Sequence, residues 1–246
     1  LRRFVSEQSN YDRTDSPERM AQHALILAKI HGFMDEPNQT LRDYPESDVS
    51  LPGRYARAIA WYRDGQTDRA VAAVDALLAE QPDNPYFWEL RGQILFEEGR
   101  PSEAIGAHQR SVELRPDAPL LRINLAHAMI ETHDRDMLEP AINELKRATA
   151  LEGDNTMAWR LMSQAYAAQG KEGEARLASA GMYFAGGAEV QATQFALRAR
   201  DMLEPGTAEW TRAMDIVFAS GATQQDIDDV DRRNSRRDRG GVIPAG

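Results

Sequence analysis

The sequence predicts an all-α fold, a right-handed solenoid built from antiparallel helix pairs. Three observations predict it. Residue types recur with a period of about 34 residues. Within each period, small residues stand where two helices must cross and large apolar residues fill the adjacent holes. A Gly or a Pro then closes each helix.

The clearest repeat runs from Pro85. Trp88 is its fourth residue, Gly92 its eighth, Leu95 its eleventh, Gly99 its fifteenth, Ala104 its twentieth and Pro116 its thirty-second. This spacing matches the tetratricopeptide pattern, with Arg91 and His108 standing where that pattern usually has Leu and Phe. One period earlier, Ala58, Trp61, Gly65, Ala70 and Pro82 fall at corresponding places. One period later, Leu125, Ala126 and Met129 fit a first helix. Inserted residues within "THDRDMLEP" then bring Ala141 and Ala148 into phase. From Thr156, Trp159, Ser163, Tyr166, Gly170 and Ala175 match again. Gly92, Ala104, Ala126, Ala141, Ser163 and Ala175 are the expected crossing points. Trp61, Trp88, Leu95, Leu125, Trp159 and Tyr166 are the expected hole fillers. Gly65, Gly99 and Gly170 sit where a helix ends in a left-handed residue.

The expected organisation follows. Residues 1–50 form a linker with irregular helices. Residues 51–219 form a single stacked array, with repeats near 51–84, 85–118, 119–155 and 156–189 plus C-terminal capping helices. Residues 220–246 form a disordered charged tail with little to bury. Before the array, "SPERMAQHALILAKIHGF" has Ser16 as N-cap, Pro17 at the first helical position, and an apolar stripe through Met20, Ala24, Leu27 and Ile30; Gly32 is its expected end. "PNQTLRDYP" reads as a short helix closed by Pro45. Helices are expected near 189–203 and 207–219, the last through Trp210, Met214 and Val217.

Composition narrows the function. The 246 residues carry a net charge of −10 and no cysteine. An acidic surface repels phosphate backbones, so nucleic acid is not an expected partner. Without Cys there are no disulfides, thiolate metal sites or thiol nucleophiles. No run of eighteen apolar residues could span a bilayer. Lysine occurs only at Lys29, Lys146 and Lys171, while Arg is abundant; this fits either a compositional bias or the use of Arg as a planar donor. The first residues, "LRRFVSEQSNYDRTDSPERM", have no apolar signal core and no initiator Met, so the chain reads as a processed or trimmed piece of something longer.

No catalytic constellation is found. The five histidines, His23, His31, His108, His127 and His133, include no pair at metal-binding spacing on one helix turn. There is no nucleophile elbow, phosphate loop or dinucleotide fingerprint; "AGGAEV" follows no strand and reads as a helix boundary. The acidic pairs Glu97-Glu98 and Asp228-Asp229 belong to surfaces. The chain is expected to be a non-enzyme with no cofactor and no metal.

A stacked array offers a groove instead. The second, fifth, ninth, twelfth and thirteenth residues of each first helix face it. The candidate protein-binding residues are Tyr55, Tyr62 and Arg63, then Tyr86, Glu89 and Gln93, then His127 and Glu131, then Arg160 and Gln164. Tyr, Arg and amides suit contact with an extended peptide. The aromatics and Ile59 would equally serve packing between helices. The Lys/Asn set of chaperone-binding carboxylate clamps is absent from these positions.

Three segments carry a closer resemblance: "SLPGRYARA", "LLAEQPDNPYFWELRGQILFEEGR" and "PDAPLLRINLA". Across roughly residues 10–217 the chain resembles the C-terminal repeat region of periplasmic M48-type zinc metallopeptidases of the β-barrel-assembly-enhancing kind. In that family a signal peptide and a His-Glu-x-x-His protease domain precede the repeats. This chain lacks that motif, so no zinc or catalytic residue carries over. The resemblance implies periplasmic location and docking: the repeats would bind the outer-membrane assembly machinery, unfolded outer-membrane proteins or the parent's own protease domain. The alternative is a free-standing repeat scaffold, cytoplasmic or lipid-anchored, with an unrelated protein partner.

Overall fold

The computed structural model describes residues 15–223 together with 225, 227, 228 and 232. Among these the regular structure is helical throughout. The elements are α1 (Pro17–Met34), α2 (Pro37–Asp43), α3 (Leu51–Arg63), α4 (Thr67–Glu80), α5 (Pro85–Glu97), α6 (Pro101–Leu114), α7 (Pro119–Glu131), a 3-10 turn (Arg135–Met137), α8 (Leu138–Leu151), α9 (Thr156–Ala168), α10 (Glu172–Ala185), α11 (Glu189–Arg200) and α12 (Ala208–Ala219). This is the tetratricopeptide-repeat α-solenoid fold. The first helices of successive repeats are α3, α5, α7 and α9, with α11 and α12 continuing the series where two late helices were expected.

The helix ends follow from side-chain chemistry. Ser50 accepts from the Gly53 amide at 3.2 Å and caps α3, with Pro52 in its first turn. Asn155 caps α9 through the Ala158 amide, and Thr207 caps α12 through the Trp210 amide. At the other ends, Gly65 and Gly170 take φ of +75° and +78°. The following amides, Gln66 and Lys171, donate back to the carbonyls of Trp61 and Tyr166 at 2.8 and 2.9 Å. In the third repeat the same place is held by His133, which is forced to φ +57°. A left-handed L-residue costs about 1–2 kcal/mol, partly offset by the greater entropy of Gly in the unfolded chain. His133→Gly is therefore expected to stabilise the protein by about 0.5–1 kcal/mol, read as a raised urea midpoint.

The fourth residue of a repeat has a shared task. Trp88 and Trp159 donate their indole N–H to the carbonyls of Pro82 and Gly153 at 2.7 and 2.8 Å, each six residues back. Arg122 stands at the same place in the third repeat and donates to the Pro116 carbonyl at 2.7 Å, also six back. The residue thus staples the loop that joins one repeat to the next.

The chain divides into two compact units, unit 1 through Glu98 and unit 2 from Gly99 on. The buried interior forms three clusters. Unit 1 is built around Ala28, Ile59, Val74, Leu77, Phe87 and Ile94. Unit 2 has one cluster around Leu125, Ile142, Leu145, Trp159 and Leu161, and a second around Ala192, Leu197, Ala199 and Val217. The small crossing residues behave as expected: Ala104, Ala126 and Ala141 are fully buried.

Several expectations are corrected. Trp88 is half-buried at the edge of its cluster, because its indole turns to the Pro82 carbonyl; Phe87, 1% exposed, fills the interior instead. Gly32 does not end α1. It lies inside the helix and is buried against Ile59. The stripe through Met20, Leu27 and Ile30 faces solvent, at 56%, 39% and 49% exposure; the packed face is Leu25, Ala28, Gly32 and Phe33. Of the expected tail, Ile227 is 4% exposed and packs in the last cluster, and most of the remainder lies outside the described residues.

Candidate functional site

The predicted groove residues of unit 1 sit on α3 and α5, and they have unequal fates. Tyr55 is not a surface residue. It is 2% exposed, its ring lies 5.0 Å from that of Phe87, and burial pushes its phenol far up. Its ring is enclosed against Phe87 of α5, in the cluster that α1 also joins through Ala28. Tyr62 is half-buried, edge-on to Phe33 of α1 at 6.4 Å, and receives Gln93 Nε2 at 3.5 Å. Its phenol is raised by burial first and by Glu97 second.

Arg63 is turned to α1 as well, donating to the carbonyls of Gly32 (3.1 Å) and Asp35. Glu89 is 6% exposed and bonded to Lys29 Nζ at 2.8 Å. It is therefore no solvated contact charge, and removing its partner would strand a buried carboxylate. Tyr86 keeps 43% exposure, with Lys29 Nζ 5.5 Å from its ring centre. Gln93 also bonds Glu97 at 3.1 Å. The face that sequence periodicity assigned to a partner is, in unit 1, covered by the chain's own N-terminal helix. The signal that could have revealed this is the Ala28-Lys29-x-x-Gly32 pattern on α1, a seam of small residues beside a single cation.

Unit 2 presents its predicted residues differently. His127 and Glu131 stand one turn apart on α7, with Nε2 and Oε1 at 3.8 Å. The His127 pKa is lowered, by burial first; Glu131 favours its charge and Arg160 of α9 opposes it. The structure thus brings His127, Glu131 and Arg160 within electrostatic reach across two adjacent first helices. Arg160 and Gln164 are exposed one turn apart on α9, and Arg160 Nη2 lies 2.9 Å from Met157 Sδ. Leu120 adds an exposed apolar group at the start of α7. Sequence reasoning overlooked α11, whose Gln191, Gln194 and Arg198 are exposed at the matching places of the next period.

Among the described residues no group of His, Asp and Glu could hold a metal ion, and no helix is long and apolar enough to cross a membrane. A separate cavity of about 290 Å³ in unit 2 is lined by Trp159, Tyr166 and Leu177, with Lys146 and Arg212 at its edge.

Residues 64–183 match the family described as the Cytochrome c-type biogenesis protein H TPR domain. The chain is 31% identical over 120 residues to the Beta-barrel assembly-enhancing protease of Yersinia pestis, covering 49% of this chain and 24% of that protein. It is 28% identical over 159 residues to the protein of the same name from Escherichia coli (strain K12), covering 65% and 32%. The chain thus spans about a quarter to a third of the length of these curated relatives. Among solved structures, the one titled "MamA MSR-1 C2" superposes with a TM-score of 0.54 at 17% identity, covering 72% of this chain and 99% of that one.

Proposed function

We propose that this chain is a non-catalytic docking domain, the partner- and substrate-binding part of an M48-type metallopeptidase that acts in outer-membrane protein assembly or quality control in the periplasm. Tetratricopeptide domains mediate protein interactions, and the similarity to two β-barrel assembly-enhancing proteases supports this particular setting. The observation that carries the reading is the accessible cluster on α7 and α9. His127, Glu131, Arg160 and Gln164 offer a titratable ring, an anion, a cation and an amide beside the apolar Leu120. Such a mixture suits the backbone and polar side chains of an extended protein segment better than one phosphate or metal.

The test is site-specific crosslinking in the full-length parent. Partners should crosslink from positions 160 and 164, and not from exposed second-helix positions such as Asn143 and Arg147. Arg160→Glu should reduce partner capture by about tenfold while leaving the melting temperature unchanged, because an exposed charge contributes little to stability. Crosslinks only from the second-helix positions would refute the assignment.

A second reading is a free-standing repeat scaffold with an unrelated protein partner. It is favoured by the match to a repeat domain described from cytochrome c-type biogenesis, with no protease named. A His-Glu-x-x-His motif and a signal peptide encoded upstream of Leu1 would separate the two.

A further inference from the structure

Unit 1 records what its first-helix face accepts, because α1 is already seated there. Ala28 is fully buried, and Gly32 lies so close to α3 that a Cβ added to it would stand 2.8 Å from the Cβ of Ile59. Two small residues one turn apart let the α1 backbone settle onto α3. Beside them, Lys29 reaches past α3 to the Glu89 carboxylate of α5 at 2.8 Å and stands 5.5 Å from the Tyr86 ring centre. Phe33 meets Tyr62 edge-on, and the Arg63 guanidinium takes the carbonyls of Gly32 and Asp35 at the helix end. Tyr62, Arg63, Tyr86 and Glu89 therefore all hold α1.

These features select a helix over a strand. A close seam of small residues serves helix-on-helix approach, and helix-end carbonyls are the unsatisfied groups a guanidinium can cap. Glu89 is the most selective of them. A carboxylate 6% exposed needs a cation from whatever covers it.

The hold on α1 is one-sided. Its opposite stripe of Met20, Leu27, Ile30 and Met34 is between 39% and 77% exposed. The helix joins the rest of unit 1 through Asp35 and Glu36. After that junction, Arg57 grips the Tyr44 and Pro45 carbonyls at 3.2 and 2.6 Å and fixes the chain to α3. Release of α1 breaks the bond from the Thr40 hydroxyl of α2 to the His31 carbonyl (3.0 Å), while the Arg57 grip keeps the chain at Tyr44 and Pro45 on α3.

We infer that the first-helix face of unit 1 is a receptor for an amphipathic helix carrying small–Lys–x–x–small, that α1 fills it in cis, and that a partner helix of the same chemistry takes its place. This rests on the reading that first-helix faces are where partners bind. It assigns unit 1 a helical ligand where unit 2 is assigned an extended one.

The full chain allows a clean test, since it has no cysteine of its own. Gly32→Cys with Ile59→Cys places two Cβ atoms within about an ångström of the usual disulfide separation, and oxidation locks α1 down. Lys29→Glu sets two carboxylates together and loosens α1. The probe is a fluorescent synthetic peptide of residues 16–36.

The Lys29→Glu chain, with helix content unchanged by circular dichroism, should show faster amide exchange in α1. It should bind the peptide about tenfold or more tighter than the oxidised double-Cys chain, the worth of one charge-assisted hydrogen bond. A peptide carrying Lys29→Glu should lose that binding and regain it on a Glu89→Lys chain. Unchanged exchange in α1, equal peptide binding by loosened and locked chains, or no rescue by the charge swap would each overturn the proposal. Crosslinking from positions 160 and 164 is read separately, so failure of the unit 2 docking surface and failure of the α1 exchange give different results.

Discussion

Phe87→Ala is expected to lower the unfolding free energy by about 3–5 kcal/mol, the range for deleting a buried aromatic. Phe87 is 1% exposed and packs at a tilt against Tyr55, itself 2% exposed, at 5.0 Å between ring centres. The neighbouring Tyr55, Ile59 and Leu90 are all nearly inaccessible, so little can move to refill the space. Trp88→Ala should cost much less, since that ring is half-buried and contributes mainly one bond to the Pro82 carbonyl. Urea titrations of both variants, followed by circular dichroism, make the comparison. A larger loss for Trp88→Ala would mean that the interior of unit 1 is organised around the tryptophan after all.

Acidification should weaken the fold through His108. This side chain is 2% exposed, its Nδ1 lacks a hydrogen-bond partner, and its pKa is pushed down to about 4 from 6.5 by burial first and by the nearby His127 second. The folded state therefore favours the neutral ring. Above pH 6.5 both states are neutral and the full stability is present. As the pH falls below 6.5 the unfolded chain takes up a proton that the folded chain refuses. Each pH unit then costs about 1.4 kcal/mol, levelling off near pH 4 at a total of about 3 kcal/mol. His108→Phe, the residue usual at that repeat position, should make the dependence shallower between about pH 6.5 and 5, where few carboxylates titrate and the lowered His127 still contributes. Parallel stability–pH curves for the two proteins would show that the ring is solvated in the folded state.

How much of this was readable beforehand depends on what each residue's environment is made of. The helix pairs were legible because their determinants are local and periodic. Gly65 and Gly170 mark helix ends by their left-handed φ, and Ala104, Ala126 and Ala141 mark crossings by their size. His133 in the glycine place was hidden only by its identity.

The candidate face was placed at the surface correctly for Arg160 and Gln164, which are exposed, while His127 and Glu131 are half-buried. It was misread where a non-repeating element intervenes. Nothing in the 34-residue spacing says that α1 lies on α3, so Tyr55 and Glu89 were placed on a surface although both are buried. The outward Met20 and Leu27 misled in the same way. An apolar stripe on one helix names a face without saying which neighbour, if any, meets it.

The boundary after Glu98 has its own meaning. It falls inside the repeat of residues 85–118, at the turn between its two helices. On either side of it packing continues within each unit: α4 lies on both α3 and α5, and α7 lies on both α6 and α8. At this one place the module that recurs in sequence and the module that holds together in space end at different residues. Anyone borrowing pieces of this chain for a fusion should cut by the second rule. Severing it after residue 84 or 118 parts helices that shield each other, whereas severing it after residue 98 leaves the cluster around Phe87 and the cluster around Leu145 each with its own walls.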